Sequence, residues 1–333
     1  MYKKQHKLNF RLIKYKEVVF IFYIKEASNI NEMINFSVKL PNFLKNLFFE
    51  FLKFFNLILV KKDIIILPYL DTYTISTRKQ IKLVNKISSI LEKENVTNIA
   101  LSTYLIRNTH FKNYFNSKNI HILDGRWLFQ YLSLEVLNYI AKNMDKKVAD
   151  LEVAILANTY NTTVKDIVSE VSQKVKVLNI ATSNLTNFKS TTAELYENFG
   201  ISVRVSNNRK KVLQKSDVVF NFDFSEEVIN KYSFPSEAVI VNYSNKIAID
   251  NKLFNGININ YYNISISSTV SSLFNKLNLS SSFPLEILYE SKHYGKKSFV
   301  EMINVLATDK VFIKALVGNK GQINPKEFKK EGV

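Results

Sequence analysis

Val153-Ala154-Ile155-Leu156-Ala157, then Asn158-Thr159-Tyr160-Asn161-Thr162-Thr163, then Val164, Ile167, Val168 and Val171: this stretch decides how the chain is read. The first five residues are continuously apolar, which suits a central strand buried on both faces of a parallel sheet. The four aliphatic residues at i, i+3, i+4 and i+7 line one face of a helix. A buried strand, a polar turn and a helix make the opening β-α unit of a doubly wound fold. In such folds the first turn is where a dinucleotide pyrophosphate meets backbone N–H groups and a helix N-terminus.

Downstream the alternation continues. Strands are expected at Val175–Ala181, at Ile201–Val205, at Asp217-Val218-Val219-Phe220-Asn221 and at Ala238-Val239-Ile240-Val241-Asn242. Between them fall a helix closed at Gly200, a short helix at Arg209–Gln214 and another at Ser225–Tyr232. Thr191 with Glu194 reads as a capping box opening the helix that ends at Gly200, and Gly200 suits a left-handed C-cap. Ile257–Ile264 reads as an edge strand. The tail from Thr269 to about Lys314 reads as helical, broken at Pro284, with a turn at Val317–Gly321.

Upstream, residues 8–24 read as two strands joined near Lys14-Tyr15-Lys16. Phe43–Val60 reads as a helix whose polar residues Lys45, Asn46, Glu50, Lys53 and Asn56 recur every three to four positions and form its wet side. Strands at 63–68, 98–102 and 120–123 alternate with helices at 77–94 and 111–116. Arg126–Asn143 reads as one long helix, with Asp124 as its N-cap. The expected architecture is α/β: two α/β domains, the second a doubly wound Rossmann-like parallel sheet, with a helical C-terminal tail. The divisions are 1–145, 146–265 and 266–333, the first set by the polar break Asp145-Lys146-Lys147.

The chain has 333 residues, enough for about two domains. It has no Cys, which excludes disulfides, Cys-zinc sites and a Cys nucleophile. The four His, at positions 6, 110, 121 and 293, show no metal spacing, so no metal site is expected. His293, within Tyr289-Glu290-Ser291-Lys292-His293-Tyr294-Gly295, is a candidate acid–base group, with a surface helix end as its plainer reading. Lys and Arg number 46 against 29 acidic residues, a net charge of +17. Only six of the bases are Arg, the side chain that forks onto phosphates and guanine edges. The Lys are scattered, with short clusters at 208–211 and 326–330, so a solvated surface is favoured over a nucleic-acid face. The most apolar stretch, 43–60, carries three charges and is no membrane span; a core helix with one wet side is expected, with a helix lying on a membrane surface as the alternative. With no secretory signal pattern at Met1-Tyr2-Lys3-Lys4, the expected location is the cytoplasm.

The first β-α turn, Ala157 to Thr163, contains no Gly, and the whole chain has only 7. Gly ordinarily allows the tight turn and the close approach of a pyrophosphate. The second strand ends Asn179-Ile180-Ala181-Thr182-Ser183, with neither an acid for a ribose 2′-hydroxyl nor an Arg for a 2′-phosphate.

On three stretches residues 151–245 resemble the NAD(P)-binding domain of the shikimate dehydrogenase and glutamyl-tRNA reductase group. Ile180-Ala181-Thr182-Ser183 sits where that group has its Asn-Arg-Thr turn. Lys215-Ser216-Asp217-Val218-Val219-Phe220-Asn221 is similar to its Ala-Asp-Val-Val-Ile-Asn-Ala-Thr strand. Ala238-Val239-Ile240-Val241-Asn242-Tyr243 is similar to the strand closing the nicotinamide pocket. The resemblance implies NAD(P) as cofactor, with Asn158, Thr159, Asn161, Thr162, Thr182, Ser183 and Asn221 as the residues that would touch it. The missing Gly and the altered turn imply a changed or lost dinucleotide site. The expectation is therefore a scaffold with a non-catalytic regulatory or interaction role and a protein, nucleotide or small-molecule partner. The alternatives are an NAD(P)-dependent oxidoreductase with an atypical loop, and a basic nucleic-acid-binding protein.

Overall fold

The computed structural model describes residues 21–33, 41–70, 75–232, 234–250, 254–276 and 279–329. They form two compact units, each made of two chain segments: Met1–Asp124 with Asn278–Lys296, and Gly125–Leu277 with Lys297–Val333.

In the first unit five strands form one sheet: β1 (Ile21–Ala27), β2 (Leu59–Lys61), β3 (Ile64–Leu70), β4 (Asn98–Leu101) and β5 (His121–Leu123). Their order is β2-β3-β1-β4-β5, parallel except for β2. Alternation along β3 explains the layering, because successive side chains point to opposite faces. Ile65 and Leu67 pack with Leu83, Ile87 and Leu91 of the helix Thr77–Lys93 and with Phe111 and Phe115 of the helix Thr109–Asn116. Ile66 faces the other way, onto Phe49 and Leu52 of the helix Asn42–Phe54. The expected strand pair over 8–24 lies outside the described residues, save for 21–24 at the start of β1.

The helix expected over 43–60 stops at Phe54, and β2 takes up its last residues. Its faces match the expectation only in part: Asn46 and Glu50 are exposed, but so are several of its apolar residues. Lys53 is buried and paired to Glu50 at 2.8 Å, whereas Phe43, Leu47 and Phe54 point outward. The helix is apolar on nearly every side, so polar spacing alone could not say which side the sheet would take.

The second unit holds six parallel strands: β6 (Glu152–Leu156), β7 (Val177–Ala181), β8 (Arg204–Ser206), β9 (Val218–Asn221), β10 (Val239–Asn242) and β11 (Ile257–Ile259). Their order is β11-β10-β9-β6-β7-β8, which numbered from β6 is 6-5-4-1-2-3. This is the doubly wound order, and the chain reverses direction across the sheet between β6 and β9. β6 is buried apart from its first residue, and Val164, Ile167, Val168 and Val171 are the buried face of the helix Thr162–Ser172. Burying each of these aliphatic side chains contributes about 1.5–3 kcal/mol. Ala154, Leu156, Val219 and Ile240 pack with Leu213, Phe224, Ile229 and Ile247 in one core cluster.

Four local expectations need correction. The helix containing Thr191 starts at Leu185, so Thr191 is interior and buried rather than a cap; its hydroxyl meets that of Tyr160. Gly200 does close that helix in the left-handed region, at φ 66. Arg126–Asn143 is two helices, Arg126–Tyr131 and Ser133–Asn143. At the break the Ser133 hydroxyl donates to the Gln130 carbonyl, a local bond that competes with the helical ladder. The N-cap of the first is Gly125, at φ 84 with no side-chain bond, and not Asp124. Ile257–Ile264 divides at Asn260. β11 stays in the large sheet, while β12 (Tyr261–Ser265) joins β13 (Phe312–Gly318) and β14 (Gly321–Gln322) in a small antiparallel sheet. The C-terminal helices are Ser268–Lys276, Leu285–His293 and Phe299–Thr308; β13 follows them.

Candidate functional site

In a doubly wound sheet ligands collect at the carboxyl ends of the strands where the winding reverses. Here that point lies between β6 and β9, where Leu156 is level with Asn221. The seven residues named from the sequence as cofactor-binding candidates lie at this end of the sheet, on the turns leaving it or at the start of the next helix; His293 does not.

The turn after β6 is held by a carboxylate. The Asn158 N–H donates to both oxygens of Asp223, at 2.9 Å each, and the Thr159 N–H donates to Oδ2 at 2.5 Å. Asp223 sits two residues beyond the end of β9 and is half-buried. Neighbouring backbone N–H groups just before a helix N-terminus are what a pyrophosphate uses in such folds. In this chain an internal anion meets them. Charge-assisted bonds of this kind are shorter and roughly twice as strong as neutral ones.

Asn158, Ser183 and Asn161 hold the same turn in place. Asn158 Oδ1 accepts from the Ser183 N–H at 2.9 Å and from the Ser183 hydroxyl at 2.6 Å, tying the first turn to the one after β7. Asn161 caps the helix Thr162–Ser172, its Oδ1 accepting from the Val164 N–H at 2.9 Å. Thr162 opens that helix and is exposed. Thr182 is fully buried, and its hydroxyl accepts from the Asn184 N–H at 2.9 Å. Tyr160 turns down onto the next helix, edge-on to Phe188 with ring centroids 5.1 Å apart.

Asn221 is buried, and its amide is taken up internally. Its Nδ2 donates to the Phe224 carbonyl at 3.1 Å and to Asn242 Oδ1 at 3.0 Å, and its Oδ1 accepts from the Phe224 N–H at 2.9 Å. The bonds continue across the sheet. Asn242 Nδ2 donates to Asn258 Oδ1 at 2.8 Å and Asn260 Oδ1 at 3.1 Å, and Asn260 Nδ2 donates to Asn319 Oδ1 at 2.9 Å. Arg126 Nη1 donates to the Asn242 carbonyl at 2.9 Å. This amide chain starts at the carboxyl ends of β9 and β10, on the strands where the resemblance placed the nicotinamide. Close by, Tyr243 is fully buried, and burial raises its phenol pKa well above the ordinary value.

His293 closes the helix Leu285–His293 in the first unit. It is buried rather than a surface helix end, and its ring lies 4.8 Å from that of Tyr289.

Asp223 was not among the residues picked from the sequence. A signal for it exists: an acid just past the fourth strand of a doubly wound sheet sits beside the first β-α turn, because that strand pairs with the first. The amide chain was also hidden, since Asn242, the pair Asn258 and Asn260, and Asn319 are separated in sequence and meet only once the strands pair.

The second unit is thus a Rossmann-like doubly wound domain by its sheet order. No family model matches the chain, and no curated protein matches its sequence. Among solved structures, an L-tryptophan dehydrogenase from Nostoc punctiforme is similar over 87% of this chain and 80% of that one, at 10% identity and a TM-score of 0.29. A shikimate dehydrogenase in complex with NADP+ is similar over 72% of this chain and 83% of that one, at 8% identity and a TM-score of 0.30. An aspartate transcarbamoylase from Trypanosoma cruzi is similar over 66% of this chain and 70% of that one, at 10% identity and a TM-score of 0.27. Among the described residues no helix is long and apolar enough to cross a membrane.

Proposed function

We propose that this protein is a Rossmann-scaffold protein whose dinucleotide cradle is closed by its own carboxylate, and that it serves an interaction or regulatory role rather than NAD(P)-linked oxidoreduction. The observation that carries the proposal is the seating of Asp223 on the Asn158 and Thr159 N–H groups. A pyrophosphate brought to that turn would meet a fixed negative charge and compete for donors already engaged. Two neighbours support the same reading. Tyr160 stands where a glycine would leave room, and the Asn221 and Asn242 amides, on the strands nearest a nicotinamide in such folds, are bonded to one another.

Titration with NADP+, NAD+ and mononucleotides, read by calorimetry and thermal shift, tests it. A ligand at a hundred times its Kd stabilises by about 2.7 kcal/mol, a shift easily seen. The expected result is no shift at millimolar dinucleotide. A saturable rise in Tm with NADP+ or NAD+ would favour the oxidoreductase alternative, with Asp223 swinging off the turn as the cofactor enters.

A further inference from the structure

The helix Asn42–Phe54 turns the wrong side outward for a free surface. Phe43 is 69% exposed, Leu47 71%, Phe51 49% and Phe54 77%, and Phe55 just beyond is 52% exposed. At 3.6 residues per turn, 43, 47 and 54 fall on one line of the helix, with Phe51 beside them. The one charge among them, Glu50, is tied to Lys53 at 2.8 Å. Scattered exposed apolar residues need no explanation, but a contiguous aromatic ridge does.

Cations border the ridge. Glu50, Phe51, Lys53, Phe54 and Lys79 line one surface concavity. Lys86 Nζ donates to the carbonyl of Asn56, just past the ridge, at 3.1 Å. Both lysines belong to the helix Thr77–Lys93, whose first ten residues carry Arg78, Lys79, Lys82 and Lys86 and no acid. Arg78, Lys82 and Lys86 recur every four residues and are exposed, so they share a face.

We propose that this face docks on an anionic lipid bilayer, the helix Asn42–Phe54 lying in the interface with its Phe side chains among the acyl chains and the cations of the neighbouring helix at the phosphates. An apolar ridge beside a basic face is the pattern of helices that lie on membranes. Each Lys or Arg near an anionic surface contributes about 1 kcal/mol, roughly a fivefold change in affinity. A second copy fits less well, because a two-fold contact through the ridge would bring two sets of these cations together.

The test is co-sedimentation of the full chain with vesicles of phosphatidylglycerol and phosphatidylcholine in equal parts, and with phosphatidylcholine alone. Wild type is expected to bind the anionic vesicles, to bind neutral ones far less, and to release as salt rises. The triple variant Phe43→Ser, Leu47→Ser, Phe54→Ser is expected to weaken binding by about tenfold or more, with Tm unchanged because these side chains touch little of the protein. The variant Arg78→Gln, Lys82→Gln is expected to weaken it by about 25-fold through charge alone. No sedimentation with anionic vesicles overturns the proposal, as does sedimentation that ignores both variants. A drop in Tm of the triple variant would assign the ridge to a segment of this chain. A concentration-dependent dimer lost in the same variant would assign it to a second copy. Either result also overturns the proposal.

Discussion

Replacing Asp223 by Ala removes the acceptor of two N–H groups at once. Hydrogen bonds to charged groups contribute about 1.5–3 kcal/mol each in protected settings. Thr159 is exposed and Asn158 half-buried, so water recovers part of the loss, and a net cost of about 2 kcal/mol follows. For domains of this size each kcal/mol moves Tm by roughly 2–4 °C, which places the variant about 4–8 °C below wild type. Asp223→Asn keeps one acceptor oxygen and loses the charge, and about half the drop is expected. The second half of the experiment uses the vacated donors. Inorganic pyrophosphate added to Asp223→Ala should raise its Tm in a saturable way, while wild type should respond little, because an anion already sits there. Differential scanning calorimetry of both proteins, with and without pyrophosphate, reads both effects. Equal responses to pyrophosphate, or a Tm for Asp223→Ala within a degree of wild type, would refute the reasoning.

Two further outcomes follow from buried polar groups. Asn242→Leu removes one hydrogen bond from each of the amides of Asn221, Asn258 and Asn260, and urea unfolding should show a loss of about 3 kcal/mol; a loss under 1 kcal/mol would mean the amide chain holds little. In the first unit Glu32 is partly desolvated, which alone would raise its pKa, but the Lys25 ammonium at 2.5 Å and the Ser28 N–H hold it below the ordinary 4.5. A lowered carboxyl pKa stabilises fully above the unfolded value and fades as pH falls through the folded one. Glu32→Gln should therefore lose about 3 kcal/mol near neutral pH, and its deficit against wild type should shrink only below about pH 4.5. A deficit independent of pH down to the acid limit would count against the ion pair.

The sheet of the second unit was legible in the sequence because its strands are short, continuously apolar and set apart by turn residues. Val153–Ala157, Val218–Asn221 and Val239–Asn242 are too short for buried helices and suit strands buried on both faces of a parallel sheet. The helix Thr162–Ser172 was legible because its aliphatic spacing is unambiguous. The helix Asn42–Phe54 was legible as a helix but not in its orientation. With Phe at 43, 48, 49, 51 and 54, several faces could have met the sheet, and Phe49 and Leu52 were chosen by packing with Met33 and Ile66. The small antiparallel sheet was missed because β12 runs on from β11 with one residue between them, and only the Asn260 N–H bond to the Val317 carbonyl marks the change of partner. At the candidate site the turn itself was visible, including its lack of Gly. Its occupant was not, because Asp223 reaches the turn through strand order and no local pattern points there.

The Asn158 and Thr159 N–H groups hold either the Asp223 carboxylate or a dinucleotide pyrophosphate. Crystals of the full chain grown with millimolar NADP+ distinguish the two directly. The expected electron density has the Asp223 carboxylate on both N–H groups and nothing across Ala157–Asn161; a dinucleotide pyrophosphate on that turn, with Asp223 displaced, would contradict it.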